Sequence, residues 1–462
     1  MKRNMVLMLV SGACASVLCM PALAQDCVER VSSVEKGSLL IYPKVEIVWN
    51  RQGQILQDTF IDLTNDYPED VLVQMQFVNG DPPWGALPFQ GQCVENVCIP
   101  FDPGIDHPSN FCYCDAFVPC NERAHLGWVS VDVMIELTAN EPTYWAASSG
   151  LPKGTSPFSI LDPGTPNGRP DGFDPFKGVA CERRLRGYIL AWAVDNNGEQ
   201  IGWNHLKGDA LVVDYQRQAA WEYNAYAFQV HSVERGELVL AEGADPAMLE
   251  LNGDVYDSPF DQLLLDFYAY DPDRTPAEPG PFDQANGPGG AYWFAEVRTD
   301  LTLLPLDIDL TQESPGPTTT KANFDIWNMN EWKFSGTHRC VTCWDQEWLD
   351  WYDAPNHFLR DNLQTNKGKA RIDGIASLVC PGTPDRETGA ARPSVETPLL
   401  GLAMKQIRFA KAPVFAKAGM NLVGMGTQDA TIYADVTTQP PDEKAAERFI
   451  RGFGKGSFDL GR

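Results

Sequence analysis

The stretch VSVDVMIELT, residues 129–138, alternates apolar and polar side chains, with Met134 as the one apolar residue at a polar position. Successive side chains of an extended strand point to opposite faces, so a period of two predicts a strand with one buried face. Three of its apolar positions are valines, and β-branched residues favour a pleated sheet. The segment therefore predicts a strand of an antiparallel sheet.

The same signal recurs along the chain. Residues 71–78 alternate in the same way, and the near-continuous apolar run 187–194 predicts a strand buried on both faces. Residues 324–344, FDIWNMNEWKFSGTHRCVTCW, are typical of a hairpin, whereas the acidic and aromatic segment 345–358 is the best candidate for a helical turn. No helical periodicity rivals the strand signal. We therefore predict an all-β fold of two immunoglobulin-like antiparallel β-sandwich domains with long disulfide-bearing loops.

The N-terminus has the pattern of a secretory signal. Lys2 and Arg3 precede an apolar run, and the small-x-small sequence Ala22-Leu23-Ala24 offers a cleavage site. We expect the protein to be exported to the periplasm or the cell exterior. The predicted regions are a signal peptide (1–24), a first β-sandwich domain (25–235) with a cysteine-rich loop (81–127), a bridging segment with one or more strands (236–300), a second β-sandwich domain (301–438) and a polar C-terminal tail (439–462).

Acidic side chains outnumber basic ones, 62 to 36, which gives a formal net charge of −26. A field of this sign repels phosphate backbones and anionic lipid head groups. We therefore expect no nucleic-acid partner. No stretch of about 18 uninterrupted apolar residues follows the signal, so we also expect no membrane insertion.

Four segments resemble a loose group of exported bacterial proteins with immunoglobulin-like β-sandwich domains. They are DTFIDLTN (58–65), VQMQFVNGD (73–81), RGYILAWAVD (186–195) and WNHLKGDA (203–210). The resemblance covers most of residues 39–230 and, more weakly, 301–436. It implies the fold and the exported location, and it transfers no catalytic residue.

Ten of the twelve cysteines lie beyond the predicted signal peptide. An even count in an oxidising compartment predicts up to five disulfides, whose connectivity the spacing does not give. These cysteines are Cys27, Cys93, Cys98, Cys112, Cys114, Cys120, Cys181, Cys340, Cys343 and Cys380.

Cys340 and Cys343 form a Cys-x-x-Cys motif within an apparent strand. Positions i and i+3 of a strand point to opposite faces, so we predict structural disulfides with separate partners, Cys380 being the nearest in sequence. A thiol redox centre formed by Cys340 and Cys343 is one alternative, and a metal site is another.

A second cysteine cluster could hold a metal. Thiolates of Cys112, Cys114 and Cys120, with the imidazoles of His107 and His125, would suit zinc or copper. The spacing matches no standard zinc motif, and export favours disulfides. We therefore predict neither a metal nor any other cofactor, and keep these five residues as the alternative ligand set.

Aromatic residues crowd the region 327–353. The candidate ligand-binding residues are Trp327, Trp332, Trp348, Trp351 and Tyr352. Aromatic faces on a β-sandwich can stack on the apolar C–H faces of sugar rings, although such side chains also fill cores. Glu347, with Asp345, is the candidate catalytic acid for a glycosidase. We find no G-x-S-x-G or H-E-x-x-H motif and predict no other catalytic residue.

These features together favour a non-enzymatic exported protein with a binding, adhesive or structural role and an unknown protein or glycan partner. The alternative is a carbohydrate-binding or glycoside-active protein that uses the aromatic and acidic cluster. A thiol redox protein is the third hypothesis.

Overall fold

The computed structural model describes residues 31–49, 54–80, 130–149, 183–241, 244, 247–271, 295–307, 309–312, 316–385, 388–409 and 415–425. It also describes the backbone of four short strands at 92–94, 97–99, 173–174 and 179–180.

Strands are the dominant secondary structure of the described residues. In chain order the first thirteen are β1 (Leu39–Trp49), β2 (Ile55–Asn65), β3 (Val71–Asn79), β4 (Gln92–Val94), β5 (Val97–Ile99), β6 (Ser130–Leu137), β7 (Pro142–Ala146), β8 (Phe173–Asp174), β9 (Val179–Ala180), β10 (Arg183–Val194), β11 (Leu206–Asp214), β12 (Ala219–Asn224) and β13 (Tyr226–Phe228). The next ten are β14 (Gln262–Tyr268), β15 (Ala295–Pro305), β16 (Thr319–Asn328), β17 (Lys333–Phe334), β18 (His338–Thr342), β19 (Asp345–Trp348), β20 (Lys367–Ile375), β21 (Leu399–Phe409), β22 (Phe415–Asn421) and β23 (Gly424–Met425). A 3₁₀ turn (Leu349–Trp351) and a short helix α1 (Arg360–Leu363) lie between β19 and β20.

Three larger sheets organise these strands. The nine-stranded sheet has the order β12-β11-β2-β1-β10-β3-β6, with β13 paired to β1 and β7 paired to β2. The six-stranded sheet has the order β17-β16-β20-β14-β23, with β18 paired to β16. The four-stranded sheet has the order β19-β15-β21-β22, and β4-β5 and β8-β9 form two small pairs. All pairings between these strands are antiparallel, so the prediction of an all-β, antiparallel fold is confirmed. The immunoglobulin-like topology stays a prediction.

Strand β10 lies between β1 and β3 and is buried on both faces, as its apolar run predicts. Tyr188, Leu190 and Trp192 belong to one hydrophobic cluster, and the alternate residues Ile189 and Ala191 belong to another. A strand of this kind cannot serve as the surface of a two-layer sandwich, because both of its faces need a covering layer.

Each cluster draws on side chains from both predicted β-sandwich domains. The first joins Leu39 and Tyr188 of the nine-stranded sheet to Leu301, Phe324 and other residues of the two later sheets. The second fills the inside of the nine-stranded sheet and also takes in Leu402 and Met404 of β21. The domain boundaries themselves stay a prediction.

Aromatic side chains tie the nine-stranded sheet to the later part of the chain by hydrogen bonds. The Tyr226 hydroxyl lies 2.6 Å from the carbonyl oxygens of both Gly401 and Leu422. The Tyr188 hydroxyl donates to the carbonyl oxygen of Leu310 at 2.7 Å. These large side chains bury apolar area while their polar ends find acceptors, as buried tyrosines require.

A β-bulge in β1 provides a further contact between the nine-stranded sheet and the later part of the chain. The pairing of β1 with β10 shifts between Tyr42 and Val45, on either side of Pro43 and Lys44. Proline cannot donate to a ladder and is tolerated at bulges, which also redirect side chains. Here the Pro43 carbonyl oxygen accepts a hydrogen bond of 2.8 Å from the indole nitrogen of Trp344.

Lys44, in the same bulge, is a buried cation with 2% of its surface exposed. Its Nζ lies 3.3 Å from Asp300 Oδ1 and 3.4 Å from Glu46 Oε2. Gln346 Nε2 donates to both oxygens of Asp300, at 3.1 and 2.9 Å. Burial of an ammonium group is tolerated here because carboxylates face it and hydrogen bonds hold one of them.

We predict that Lys44→Met lowers the free energy of unfolding by about 3 to 5 kcal/mol, because two buried carboxylates lose their counter-ion. Urea denaturation measures the change. The matched control is Lys36→Met, which removes a half-exposed lysine paired with Asp66 and should cost less than about 1 kcal/mol. Equal losses in the two variants would contradict the buried network, and Asp300→Asn in the Lys44→Met background should recover part of the loss.

The cysteine predictions have mixed outcomes. Cys340 and Cys380 form a disulfide with a sequence separation of 40, which confirms a structural bond at this pair. Cys343 differs from the prediction, because its sulfur is a fully buried thiol within hydrogen-bonding contact of the Tyr188 hydroxyl. The backbone explains the difference: β18 ends at Thr342 and Cys343 takes a φ of 61°, so strand alternation does not reach it. The other seven predicted disulfide cysteines lie where the structure describes no side chain.

We predict that Cys340→Ala with Cys380→Ala lowers the free energy of unfolding by about 4 kcal/mol, from the chain entropy of a 40-residue loop. Peptide mapping after alkylation provides the independent check. Cys343 should react only once the chain is unfolded, whereas Cys340 and Cys380 should react only after reduction. Rapid alkylation of Cys343 in the folded protein would contradict the assignment.

Candidate functional site

The aromatic residues that the sequence singles out do not form one cluster. Tyr352 is 5% exposed and packs edge to face against Phe324 and Phe358, with ring centroids 5.3 and 5.6 Å away. Burial raises the pKa of its hydroxyl well above the ordinary value. Tyr352 is therefore a core residue, and the prediction that it contacts a ligand does not fit its position.

Trp348 and Trp351 belong to a second group, which we call the arginine box: Arg298, Tyr270, Trp348, Trp351 and Asp350. The guanidinium carbon of Arg298 lies 4.3, 4.9 and 5.3 Å from the ring centroids of Trp348, Trp351 and Tyr270. The same guanidinium donates two hydrogen bonds to Asp350, at 2.7 and 2.6 Å.

The charged groups of the arginine box interact with other members of the box. Cation–π contacts and a bidentate ion pair engage the guanidinium, and Asp350 is nearly buried, with a side-chain exposure of 5%. An internal cation thus already lies against the two tryptophan rings that a sugar would need. We therefore assign the arginine box to structure, as the anchor of the 3₁₀ turn on β15.

Glu347 and Asp345, the candidate acids, lie on the edge strand β19. Asp345 accepts two hydrogen bonds from Arg339, at 2.9 and 3.0 Å. Glu347 is 6% exposed, and one of its oxygens accepts from the Trp348 amide at 2.9 Å. Burial, together with the negative charge of Asp345, raises the pKa of Glu347 to about 7, against the opposing effects of Arg339 and Arg186.

A carboxylic acid with a pKa near 7 has the acidity of a general acid. The position of Glu347 is less suitable, because its strand pairs with β15 opposite the core residue Leu301. A buried carboxyl between sheets is poorly placed to meet an external polymer. The observed environment therefore favours a structural role.

Glu347 makes stability depend on pH. The folded state keeps the Glu347 proton up to a pH of about 7, whereas the unfolded chain releases it near the ordinary glutamate pKa of 4.5. The unfolded state therefore binds fewer protons between these values, so stability falls as the pH rises through this window. We predict that Glu347→Gln gains about 2 to 3 kcal/mol of unfolding free energy over wild type between pH 4.5 and pH 8.

Denaturant melts across that pH range measure the difference. Glu331→Gln, at an exposed carboxylate with 70% side-chain exposure, is the matched control. Parallel stability profiles for wild type and Glu347→Gln would contradict the buried assignment.

Trp327 lies in a third place, on the solvent side of the six-stranded sheet. From Thr320 onward, strand β16 alternates between buried and half-buried residues, so that Phe324 and Ile326 point into the core while Asp325 and Trp327 stay half-buried outside. Strands β14 and β20 alternate in the same way. The outward side chains of these strands and of β17 form a surface that we call the outer face: Leu264, Asp266, Tyr268, Lys321, Asn323, Asp325, Trp327, Lys333, Lys367, Lys369, Arg371 and Asp373.

Ion pairs order the centre of the outer face. Asp325 accepts from Arg371 at 2.5 Å and lies 2.9 Å from Lys333 Nζ. Both cations flank the Trp327 ring, at 5.4 Å for Lys333 and 5.7 Å for Arg371. Lys369, the cross-strand neighbour of Trp327, lies 3.1 Å from Glu331. A half-buried tryptophan thus stands among hydrogen-bonding groups that rigid strands hold in place.

The outer face continues on both sides of this centre. Asn323 reaches Asp373 at 3.5 Å, and burial raises the pKa of Asp373. On β14, Asp266 lies 2.7 Å from Lys405, and the Tyr268 ring lies 5.4 Å from Lys367 Nζ. A second aromatic ring with nearby cations therefore borders the surface.

Trp332 is the most exposed of the predicted aromatic residues, at 60%, in the turn that joins β16 to β17. Asn328 organises this turn, since its Oδ1 accepts from the amides of Asn330 and Trp332 at 2.9 and 3.1 Å. Met329 in the same turn is 64% exposed. Trp332 therefore lies at the end of the hairpin, next to the outer face.

The alternative metal ligands Cys112, Cys114, Cys120, His107 and His125 all lie outside the described residues. Within the part of the chain that the structure describes, no group of three or more His, Cys, Asp and Glu side chains could hold a metal ion. No helix among those residues is long and apolar enough to cross a membrane.

Sequence reasoning missed Arg298, Asp325, Lys369 and Arg371, which decide what the aromatic groups do. A signal for part of this set was available, because Lys321, Asn323, Asp325 and Trp327 alternate with the core residues of β16. Arg298 has no such signal, since 52 residues separate it from Asp350.

Comparison with known proteins gives no functional assignment, so the proposed function rests on the geometry described above. No protein-family model matches the chain, and no curated protein matches its sequence significantly.

Proposed function

We propose that the chain is an exported, non-enzymatic binding protein whose binding surface is the outer face around Trp327. The single observation that carries the proposal is the arrangement of Trp327, Asp325, Arg371 and Lys333 on the solvent side of a sheet. The N-terminal signal pattern supports export to the periplasm or the cell exterior. An adhesive or structural role there is the form that such binding would take.

A binding surface needs side chains held in fixed positions, and strands provide them better than loops do. The core residues that alternate with Trp327 fix its strand, and ion pairs on both sides restrict the polar neighbours. A ligand would therefore meet a preorganised surface and lose little affinity to the ordering of side chains.

The composition of the outer face favours a carbohydrate ligand. A sugar ring has an apolar C–H face that can stack on Trp327 and hydroxyl groups that can donate to Asp325 or accept from Arg371. The extended, gently twisted shape of a sheet suits a chain of such rings better than a single small molecule, which usually binds in a concave pocket.

The redox hypothesis has less support. A Cys-x-x-Cys redox centre needs its two sulfurs to form a disulfide with each other, but Cys340 is bonded to Cys380. Cys343 is fully buried, and catalytic thiols are accessible and electropositively surrounded. We therefore do not propose a redox function.

We predict that Trp327→Ala reduces glycan affinity about two- to tenfold, since loss of an aromatic stacking contact costs about 0.5 to 1.5 kcal/mol. A glycan array identifies the ligand, and titration calorimetry with that ligand measures the change. Trp348→Ala should leave the affinity unchanged, because Arg298 already stacks on its ring.

Tyr144→Ala is the matched control, as it removes a 70% exposed aromatic side chain from the nine-stranded sheet. A thermal melt of each variant separates unfolding from loss of contact. Binding lost in Trp348→Ala but kept in Trp327→Ala would move the site to the arginine box, and absence of glycan binding by wild type would remove the carbohydrate assignment.

A further inference from the structure

We propose that the side chains of Lys44 and Asp300 become joined by a covalent amide bond, with Glu46 as the group that transfers the protons. The bond links β1 of the nine-stranded sheet to β15 of the four-stranded sheet. Neither the outer face nor any ligand takes part in its formation. In the structure the three side chains are in contact as ions, which is the state from which the bond forms.

Burial keeps water away from all three groups. The side chains of Lys44, Asp300 and Glu46 are 2%, 5% and 10% exposed. The Lys44 ammonium group lies 5.5 Å from the ring centroid of Trp221, a member of the second hydrophobic cluster. Charges that lose their hydration in a core carry a large free-energy penalty. A neutral amide removes two of these charges, so burial favours the condensed product.

The fold holds the reacting atoms together. Lys44 Nζ lies 3.3 Å from Asp300 Oδ1, and the carboxyl carbon is one bond beyond that oxygen. The strand that carries Lys44 is fixed by the hydrogen bond from Trp344 to Pro43, and β15 pairs with both β19 and β21 at Asp300. Reactants held in a productive orientation reach effective concentrations of about 10⁵ to 10⁸ M. The folded chain therefore supplies the proximity that free side chains lack.

Two further side chains can assist the reaction. Glu46 Oε2 lies 3.4 Å from Lys44 Nζ, where a carboxylate can accept a proton from nitrogen and return it to an oxygen. Gln346 Nε2 donates to both oxygens of Asp300, at 3.1 and 2.9 Å. Donors in this position stabilise the negative charge that develops on oxygen when nitrogen attacks the carboxyl carbon.

The atoms balance without a further reactant. Glu46 takes one proton from the ammonium group and passes it to Asp300, which leaves an amine beside a carboxylic acid. The nitrogen lone pair then forms a bond to the carboxyl carbon. A second nitrogen proton reaches the hydroxyl oxygen through Glu46, the C–O bond breaks with its electron pair on oxygen, and one water leaves. Glu46 ends as it began, and the ion pair has become a neutral amide.

Lys417 and Asp214 form a second buried ion pair that serves as an internal comparison. Their charged atoms lie 2.7 Å apart, and their side chains are 5% and 2% exposed. Within the part of the chain that the structure describes, Asp214 is the one carboxylate in contact with Lys417, and it also accepts from Arg217 at 3.1 Å. This pair has no carboxylate that could transfer protons, so we expect no bond here.

The experiment digests the full exported chain with trypsin after reduction and alkylation, and measures the peptide masses. With a free Lys44 side chain, trypsin releases residues 37–44 and 45–51 as separate peptides. An amide on Lys44 blocks that cleavage, because trypsin requires a charged side chain. We expect a branched product in which residues 37–51 are joined to residues 299–321, with a mass one water below the sum of the two peptides.

Full recovery of the free peptide 37–44 from wild type would overturn the proposal. Loss of one water from residues 37–51 alone would overturn it as well, since the bond would then join Lys44 to Glu46. The free peptide 412–417, which ends at Lys417, is the internal control and should be recovered from wild type and from every variant.

Glu46→Gln keeps the size of the side chain and removes the proton carrier. We expect the yield of the branched product to fall at least tenfold, and circular dichroism checks that the variant is folded. An unchanged yield would overturn the role of Glu46. Asp300→Asn should still give the branched product at the same mass, because the side-chain amide then releases ammonia instead of water, whereas Asp300→Ala should give none. A branched product in Asp300→Ala would show that Asp300 is not the partner.

Discussion

The burial of β10 on both faces is the constraint on which the rest of the structure depends. Its run from Tyr188 to Val194 has no charged side chain, and the Tyr188 hydroxyl is bonded inside the core to Leu310, so each face needs a layer of its own. Other side chains of the nine-stranded sheet, with Leu402 and Met404, cover one face, and residues from 249 onward help to cover the other. Each large apolar side chain buried in this way contributes about 1.5 to 3 kcal/mol. The later sheets thus complete the core that the first sheet begins.

Hydrophobic contact alone would leave the relative position of the sheets loosely defined, because apolar packing has no direction. Hydrogen bonds and buried charges add the direction. The Tyr226 hydroxyl and the Trp344 indole nitrogen each donate to a carbonyl oxygen of another sheet or segment. Lys44 of β1 donates to Asp300 of β15, in the four-stranded sheet. A shift of one sheet by a single residue would leave these groups buried without partners, at a cost of about 1 to 3 kcal/mol for each neutral group. The bulge at Pro43 and Lys44 is therefore a feature of specificity as much as of shape.

Local periodicity predicts the strands, whereas contacts between residues far apart in sequence have no local signal. The alternation at 71–78 and the apolar run at 187–194 predict β3 and β10, because side-chain direction in a strand depends only on neighbouring residues. The segment 345–358 was predicted to be a helical turn. Leu349–Trp351 is a 3₁₀ turn, but Asp345–Trp348 is a strand that pairs with β15. Crowding of tryptophans between 327 and 351 suggested one site, whereas pairing partners far along the chain separate Trp327 from Trp348. The role of Trp348 depends on Arg298, and no local sequence pattern predicts the ion pair that joins Arg298 to Asp350 across 52 residues.

The outer face raises a question that stability does not answer. On β16 the inward residues Phe324 and Ile326 are fixed by packing, but the outward positions could hold threonine or serine at little cost to the fold. Exposed ion pairs such as Lys369 with Glu331 contribute about 0 to 1 kcal/mol, so a network of them is a weak means of stabilising a sheet. A half-exposed tryptophan among them adds a surface that water solvates poorly. Stability therefore does not account for the combination of Trp327, Asp325 and Arg371, and we propose recognition of a ligand that has both an apolar face and polar groups as the reason for it.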